Sequence, residues 1–286
     1  MSDPATHGWP VAMPAWVRPA ALSGGLVLLI AALVPPLSSQ ARRYEYVEAL
    51  QFVLFALVVP ALLVVGAPWR VLGLAKPGPV GGGNDQVVPP EDRGLIDRLG
   101  DARRRHLGFG RSLCFAGVEM AVVVAWRLPP AVDALAHHAW LAPLEGACLL
   151  FCGMGLWLEL VSSPPLTPRS PGPRRLLLAA FVMWTVWISA YLVGLSQTSV
   201  YRAYRHVPGA GLGLVADQEI ATFVLWFGAA AAFVPVIFAA LITWLRTEDD
   251  PDEGLHRLVR DARRRAFAPL AETEPPAAGG ETNQAG

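Results

Sequence analysis

Six predominantly apolar runs, each close to the length that crosses a bilayer as a helix, constrain this chain more than any other feature. They lie roughly at residues 20–37, 46–66, 110–126, 141–161, 175–195 and 219–245. A soluble core does not need runs of that length. Only 16% of the residues are charged, against about 25% in soluble domains, and the mean hydropathy is +0.41. The expected fold is therefore all-α, a polytopic helical membrane bundle of about six transmembrane helices. Its expected divisions are a polar N-terminal segment at 1–19, a transmembrane helical domain at 20–246 and a tail at 247–286, partly disordered. The domain includes a polar connection at 67–109, with a flexible Gly81-Gly82-Gly83 stretch and a charged helical part from Glu91 to His106. The first run has Arg18 ahead of Leu26 to Ile30. It lacks a small-residue cleavage site and runs directly into Pro35-Pro36, so it reads as a retained helix and not a signal peptide.

Orientation follows from Lys and Arg in the connections. Eight basic residues lie in 67–111, three in 162–175 (Arg169, Arg174, Arg175) and six in the tail from Arg246 to Arg265. With six spans all three segments share one side, which the positive-inside rule makes cytoplasmic together with both termini. The 38–45, 127–140 and 196–218 loops then face outward. The string Asp101-Ala102-Arg103-Arg104-Arg105 recurs as Asp261-Ala262-Arg263-Arg264-Arg265. Topology-setting basic anchors explain it more simply than a duplicated unit or a pair of anionic-lipid sites. The net charge of +0 implies no nucleic-acid surface.

Ionisable residues inside apolar runs are costly and therefore informative. Glu119 falls near the middle of the third run. In the fourth, Glu145, Cys148, Cys152 and Glu159 recur at offsets of three, seven and fourteen, which places them on one helical face. Two thiols one turn apart with a carboxylate above them suit a soft ion such as Cu(I). The plainer reading is that cysteine is a small residue for tight helix packing. All three cysteines, Cys114 included, lie in apolar runs, so no disulfide scaffold is expected. His137 and His138 are adjacent and point apart on any regular element. One of them, His138 for example, ligates a metal only with help from Asp133 or another loop, and a metal-free surface pair is simpler. Trp126 and Trp140 fit an aromatic belt. His106 and His256 fall in solvated basic segments. No phosphate-binding glycine loop, nucleophile elbow or metalloprotease signature is present, so an enzyme is not expected.

The order of these elements resembles the CtaG-type cytochrome c oxidase assembly factors of bacteria over most of residues 30–246. The resemblance rests on Pro60-Ala61-Leu62-Leu63-Val64-Val65-Gly66-Ala67-Pro68, on Trp126, Leu128, Pro129 and Asp133, and on Glu145, Gly153 and Trp157. Tyr201, Tyr204, Asp217, Gln218 and Trp226 complete it. It implies a multi-pass protein of the bacterial inner membrane that supports assembly of a respiratory haem-copper oxidase. Its partners would be oxidase subunits or other assembly factors, besides membrane lipids, with copper as the associated metal. The histidines that the family would be expected to use for copper fall on Phe52, Arg127, Ala142 and Gly146, none of which supplies an imidazole. Three readings follow. Cu(I) passes through Glu145, Cys148, Cys152 and His138 by chaperone-type transfer; the fold persists as a metal-free scaffold for an oxidase component; or the chain is a small-solute transporter. The last is the weakest, because paired intramembrane charges are missing, although Pro60 and Pro235 interrupt two runs.

Overall fold

The computed structural model describes residues 14, 16–74, 96, 109–161, 163, 166, 172–205 and 213–248. Within them every apolar run is helical. Helix α1 is Val17–Leu33 and α2 is Leu37–Gln40. Helix α3 (Glu45–Val53), a π-helical turn (Leu54–Val58) and α4 (Val59–Gly66) form one continuous rod, followed by the short α5 (Pro68–Val71). Then come α6 (Phe109–Arg127), α7 (Pro129–His137), α8 (Leu141–Leu160) and α9 (Gly172–Gly194). A 3-10 turn (Arg202–Tyr204) precedes α10 (Leu214–Glu248). No strand occurs among the described residues, so the chain is the expected helical bundle.

Four segments are long and apolar enough to cross a membrane on their own: Glu45–Gly66, Leu141–Leu160, Pro173–Gly194 and Leu214–Leu245. Gly110–Arg127 qualifies jointly with Pro129–His137, across a 63° bend. Two prolines cause that bend. Leu128 precedes Pro129 and is extended (φ −64°, ψ 141°), because proline disfavours helical geometry in the residue before it. Helix α1 is apolar but has 17 residues, roughly 25 Å at the helical rise, against a hydrocarbon core of about 30 Å. Among the described residues the spans thus number four by length and composition, or five if the bent pair is one span.

The rod α3–α4 is central: 67% of its most apolar window is buried, against 22% for α10. Pro60 has no N–H to give the carbonyl of Ala56, and the preceding turn is widened into the π-helical form. Helix α8 approaches that turn through Gly153, where a Cβ would stand 2.9 Å from the Ala56 oxygen. Gly66 lets α1 approach in the same way, since a Cβ there would meet Leu22 backbone at 2.8 Å. Pro235 lies within α10 without breaking it. The core is built on Phe52, Phe55, Leu149, Leu156, Trp157 and Phe233, with the Trp157 and Phe233 rings stacked at 5.3 Å.

The chain divides into two units, residues 1–243 and 244–286. Of the second, only the last residues of α10 are described. The glycine-rich stretch, both Asp-Ala-Arg-Arg-Arg strings, His106, His256 and most of the basic 67–111 connection lie outside the described residues, as does the tail beyond 248.

Candidate functional site: a buried ion pair beneath a clamped loop layer

At one end of the bundle, the α7 end, buried polar side chains fasten the connecting loops to the helices. Helix α3 begins there without a side-chain cap of its own. Asp217 of α10 supplies one: Oδ2 accepts from Glu45 N and Oδ1 from Tyr46 N, both at 3.0 Å. These are two of the donors that a helix N-terminus leaves unmet, and a carboxylate is favoured there. The neighbouring Gln218 holds the following loop. Its Oε1 accepts from Val200 N (3.0 Å), and its Nε2 donates to the carbonyls of Val193 (2.9 Å) and Ser196 (3.0 Å). Asp133 Oδ1 accepts from Ala203 N at 2.9 Å, tying α7 to the 3-10 turn. The Tyr201 hydroxyl donates to Arg127 O (3.1 Å) and the Tyr204 hydroxyl to Ala41 O (3.0 Å). Burial pushes the Tyr201 hydroxyl up to about 12, against the opposing pull of Arg127. Burial likewise holds Tyr204 well above its ordinary value. Both therefore remain donors near neutral pH.

Beneath this layer Arg127, the last residue of α6, turns into the core. Its Nη1 meets Glu48 Oε2 at 2.5 Å, and both side chains are 5% exposed. The guanidinium carbon stands 5.4 Å from the Phe52 ring centroid and 5.3 Å from that of Tyr201. An arginine at a helix end is well suited to this position: it carries its charge at any pH and stacks on aromatic faces. Glu48 and Glu145, both buried, line a cavity of about 10 Å³ with Gln51, Ala142 and Tyr204.

The four positions where the family histidines would fall thus sit close to one cluster. Phe52 lies against Arg127, Arg127 pairs with Glu48, Ala142 lines the cavity beside Glu145, and Gly146 faces the Phe55 ring. Of the residues at these positions, Arg127 is a cation already paired. A guanidinium has no lone pair to give a metal and repels one electrostatically.

The candidate ligands do not converge. Glu145 is buried, and the nearby charged groups are Glu48 and Arg127. Cys148 and Cys152 are free thiols of intermediate exposure. Cys152 lies within the electrostatic reach of Glu119 and Cys148, about 10 Å along the helix from Glu145. Glu119 itself is fully buried, and neither carboxylate oxygen has a hydrogen-bond partner among the described residues. His138 is exposed, and its neighbour His137 places Nδ1 2.6 Å from Asp133 O. Glu159, at the other end of α8, accepts from Arg111 Nη2 (3.1 Å) and Ser112 Oγ (2.8 Å). Among the described residues no three His, Cys, Asp or Glu side chains gather closely enough to hold a metal ion. Glu145 and His138 therefore do not join the thiols in a three-ligand group, while Cys148 and Cys152 stay one turn apart on α8.

Sequence reasoning overlooked Glu45 and Glu48. The available signal was a carboxylate one helical turn before Phe52, in an apolar run with no cation of its own. Trp126, Pro129, Asp133, Asp217 and Gln218, the family-matching positions, all have packing or loop-fastening contacts in the structure. Trp126 packs on the core, Pro129 opens α7, and the other three clamp loops.

The profile of the cytochrome c oxidase caa3 assembly factor family (Caa3_CtaG) matches residues 5–247. No curated protein and no solved structure matches the chain. With most of its length matched, the chain belongs to the cytochrome c oxidase caa3 assembly factor family.

Proposed function

We propose that this chain supports assembly of a cytochrome c oxidase as a metal-free membrane scaffold, non-catalytic, which presents its clamped loop layer to an oxidase subunit or another assembly factor. The observation that carries the reading is the Arg127–Glu48 pair, seated among the positions where the family's imidazoles would be expected. A transfer site has to open a coordination position to an incoming cation. A buried guanidinium in salt-bridge contact does the opposite. Rigidity suits a scaffold, because a surface held by side chains of α7 and α10 bonded to backbone N–H groups of α3 and the loops loses little further freedom on docking. The setting is the bacterial inner membrane. The basic connections face the cytoplasm with both termini, and the α7 end faces outward, as the charge bias of the loops supports. That orientation requires α1 to cross the membrane despite its length.

Copper handling through Glu145, Cys148, Cys152 and His138 is the competing reading, and two measurements separate them. The first is an anaerobic Cu(I) titration of the detergent-purified protein against a competing chelator, beside a Cys148→Ser/Cys152→Ser variant. The second is the level of assembled oxidase in cells carrying that variant. The scaffold reading expects no stoichiometric competition for Cu(I) and normal oxidase. Stoichiometric binding abolished in the variant, together with loss of oxidase at normal protein level, overturns it.

A further inference from the structure

The corner between α2 and α3 holds a groove of about 540 Å³, lined by Pro36, Leu37, Gln40, Tyr44, Tyr46, Val47 and Leu50. Its volume falls within the roughly 300–1,000 Å³ of ligand pockets. It lies beside the start of a membrane-crossing rod, with Tyr44 and Tyr46 paired at 5.7 Å, where aromatic residues mark the level of lipid headgroups. Arg42 and Arg43 stand exposed in the turn directly before Tyr44, next to the groove but not in its lining; Arg42 also borders the small cavity of Glu48 and Glu145, and neither guanidinium has a carboxylate within ion-pair distance among the described residues. The only polar side chain in the wall besides the tyrosine hydroxyls is Gln40, whose Oε1 is buried without a donor among the described residues.

We propose that this corner is a binding site for one anionic phospholipid of the leaflet at the α7 end. An acyl chain lies in the groove, the phosphate is met by Arg42 and Arg43, and a headgroup hydroxyl donates to Gln40. Charge complementarity selects the occupant. A purely apolar partner leaves the two arginines unanswered, whereas a phospholipid matches both halves of the corner at the depth where they occur. Each arginine near an anionic lipid contributes about 1 kcal/mol, or roughly fivefold, so the pair implies a preference of about thirtyfold over a zwitterionic lipid.

Native mass spectrometry of the full chain tests this, with equimolar phosphatidylglycerol and phosphatidylcholine of identical acyl chains added in detergent. The expected result is one phosphatidylglycerol retained with at least tenfold preference. Arg42→Gln/Arg43→Gln should bring that preference near parity without changing phosphatidylcholine retention. Leu50→Trp, at a residue 38% exposed, should fill the groove and lower retention of both lipids. Leu50→Phe serves in its place if thermal unfolding in the same detergent shows a folding defect. Equal retention of the two lipids, a preference that survives loss of both arginines, or retention indifferent to the groove substitution each overturns the proposal. So does displacement by free glycerol phosphate, which would make the arginines a phosphate site without the groove.

Discussion

Helix α6 carries an arginine at each end, and each pairs with a glutamate of a neighbouring helix, yet the two pairs are built differently. At the α7 end Arg127 and Glu48 are each 5% exposed and lie between two aromatic rings. At the other end Arg111 is 28% exposed while its partner Glu159 is 1% exposed, and Ser112 shares the load. The first pair is sealed under a loop layer, whereas the second is partly exposed through its arginine. A partly exposed cation keeps much of its hydration and gains little from pairing. A sealed one depends on its partner for almost all of its solvation. The same two residue types therefore act as a surface tether at one end of α6 and as a core element at the other.

The largest expected effect breaks this comparison at the sealed end. Arg127→Ala leaves Glu48 buried without a cation and should cost about 3–5 kcal/mol, measured by denaturant unfolding in detergent. The double variant Arg127→Met/Glu48→Met removes both charges and should recover most of that loss. A double variant as unstable as the single one would show that packing of the guanidinium, and not charge, holds this end together. At the open end, Glu159→Gln keeps an acceptor for Ser112 and should cost only about 1.5 kcal/mol in the same assay. A loss equal to that of Arg127→Ala would erase the distinction between the ends. The smallest effect sharpens the role of the loop layer. Tyr204→Phe removes only the bond to Ala41 O and should cost about 1 kcal/mol while leaving the buried pair intact. A much larger cost would mean that the layer and the ion pair fold as one unit.

Much of the bundle was legible because hydrophobic length is local information. Each apolar run became a helix within a few residues of its expected bounds. The site was less legible. The periodicity of Glu145, Cys148, Cys152 and Glu159 correctly follows one helix, but it does not say which neighbour each residue meets. Glu145 faces Glu48 and Arg127, Cys152 faces Glu119, and Glu159 faces Arg111. Those partners come from α3 and α6, separated in sequence by tens of residues, and no pattern within α8 encodes them. Pro60 and Pro235 make the same point. One sits where a π-helical turn and Gly153 of another helix accommodate it, and the other passes within a continuous helix.

By itself the sequence determined the helical membrane class, the positions of the apolar helices and the family resemblance. Each of these is set by the chemistry of residues close together in the chain. Tertiary structure alone decided that Arg127 takes a buried place against Glu48 and Phe52, and that Asp133, Asp217 and Gln218 serve as clamps. It also decided that Glu145 and His138 do not join the two α8 thiols in a group of three possible ligands among the described residues. The physical reason is that a charge in a low-dielectric core is defined by whatever counter-charge or donor packs against it, and that neighbour is chosen by how the helices assemble.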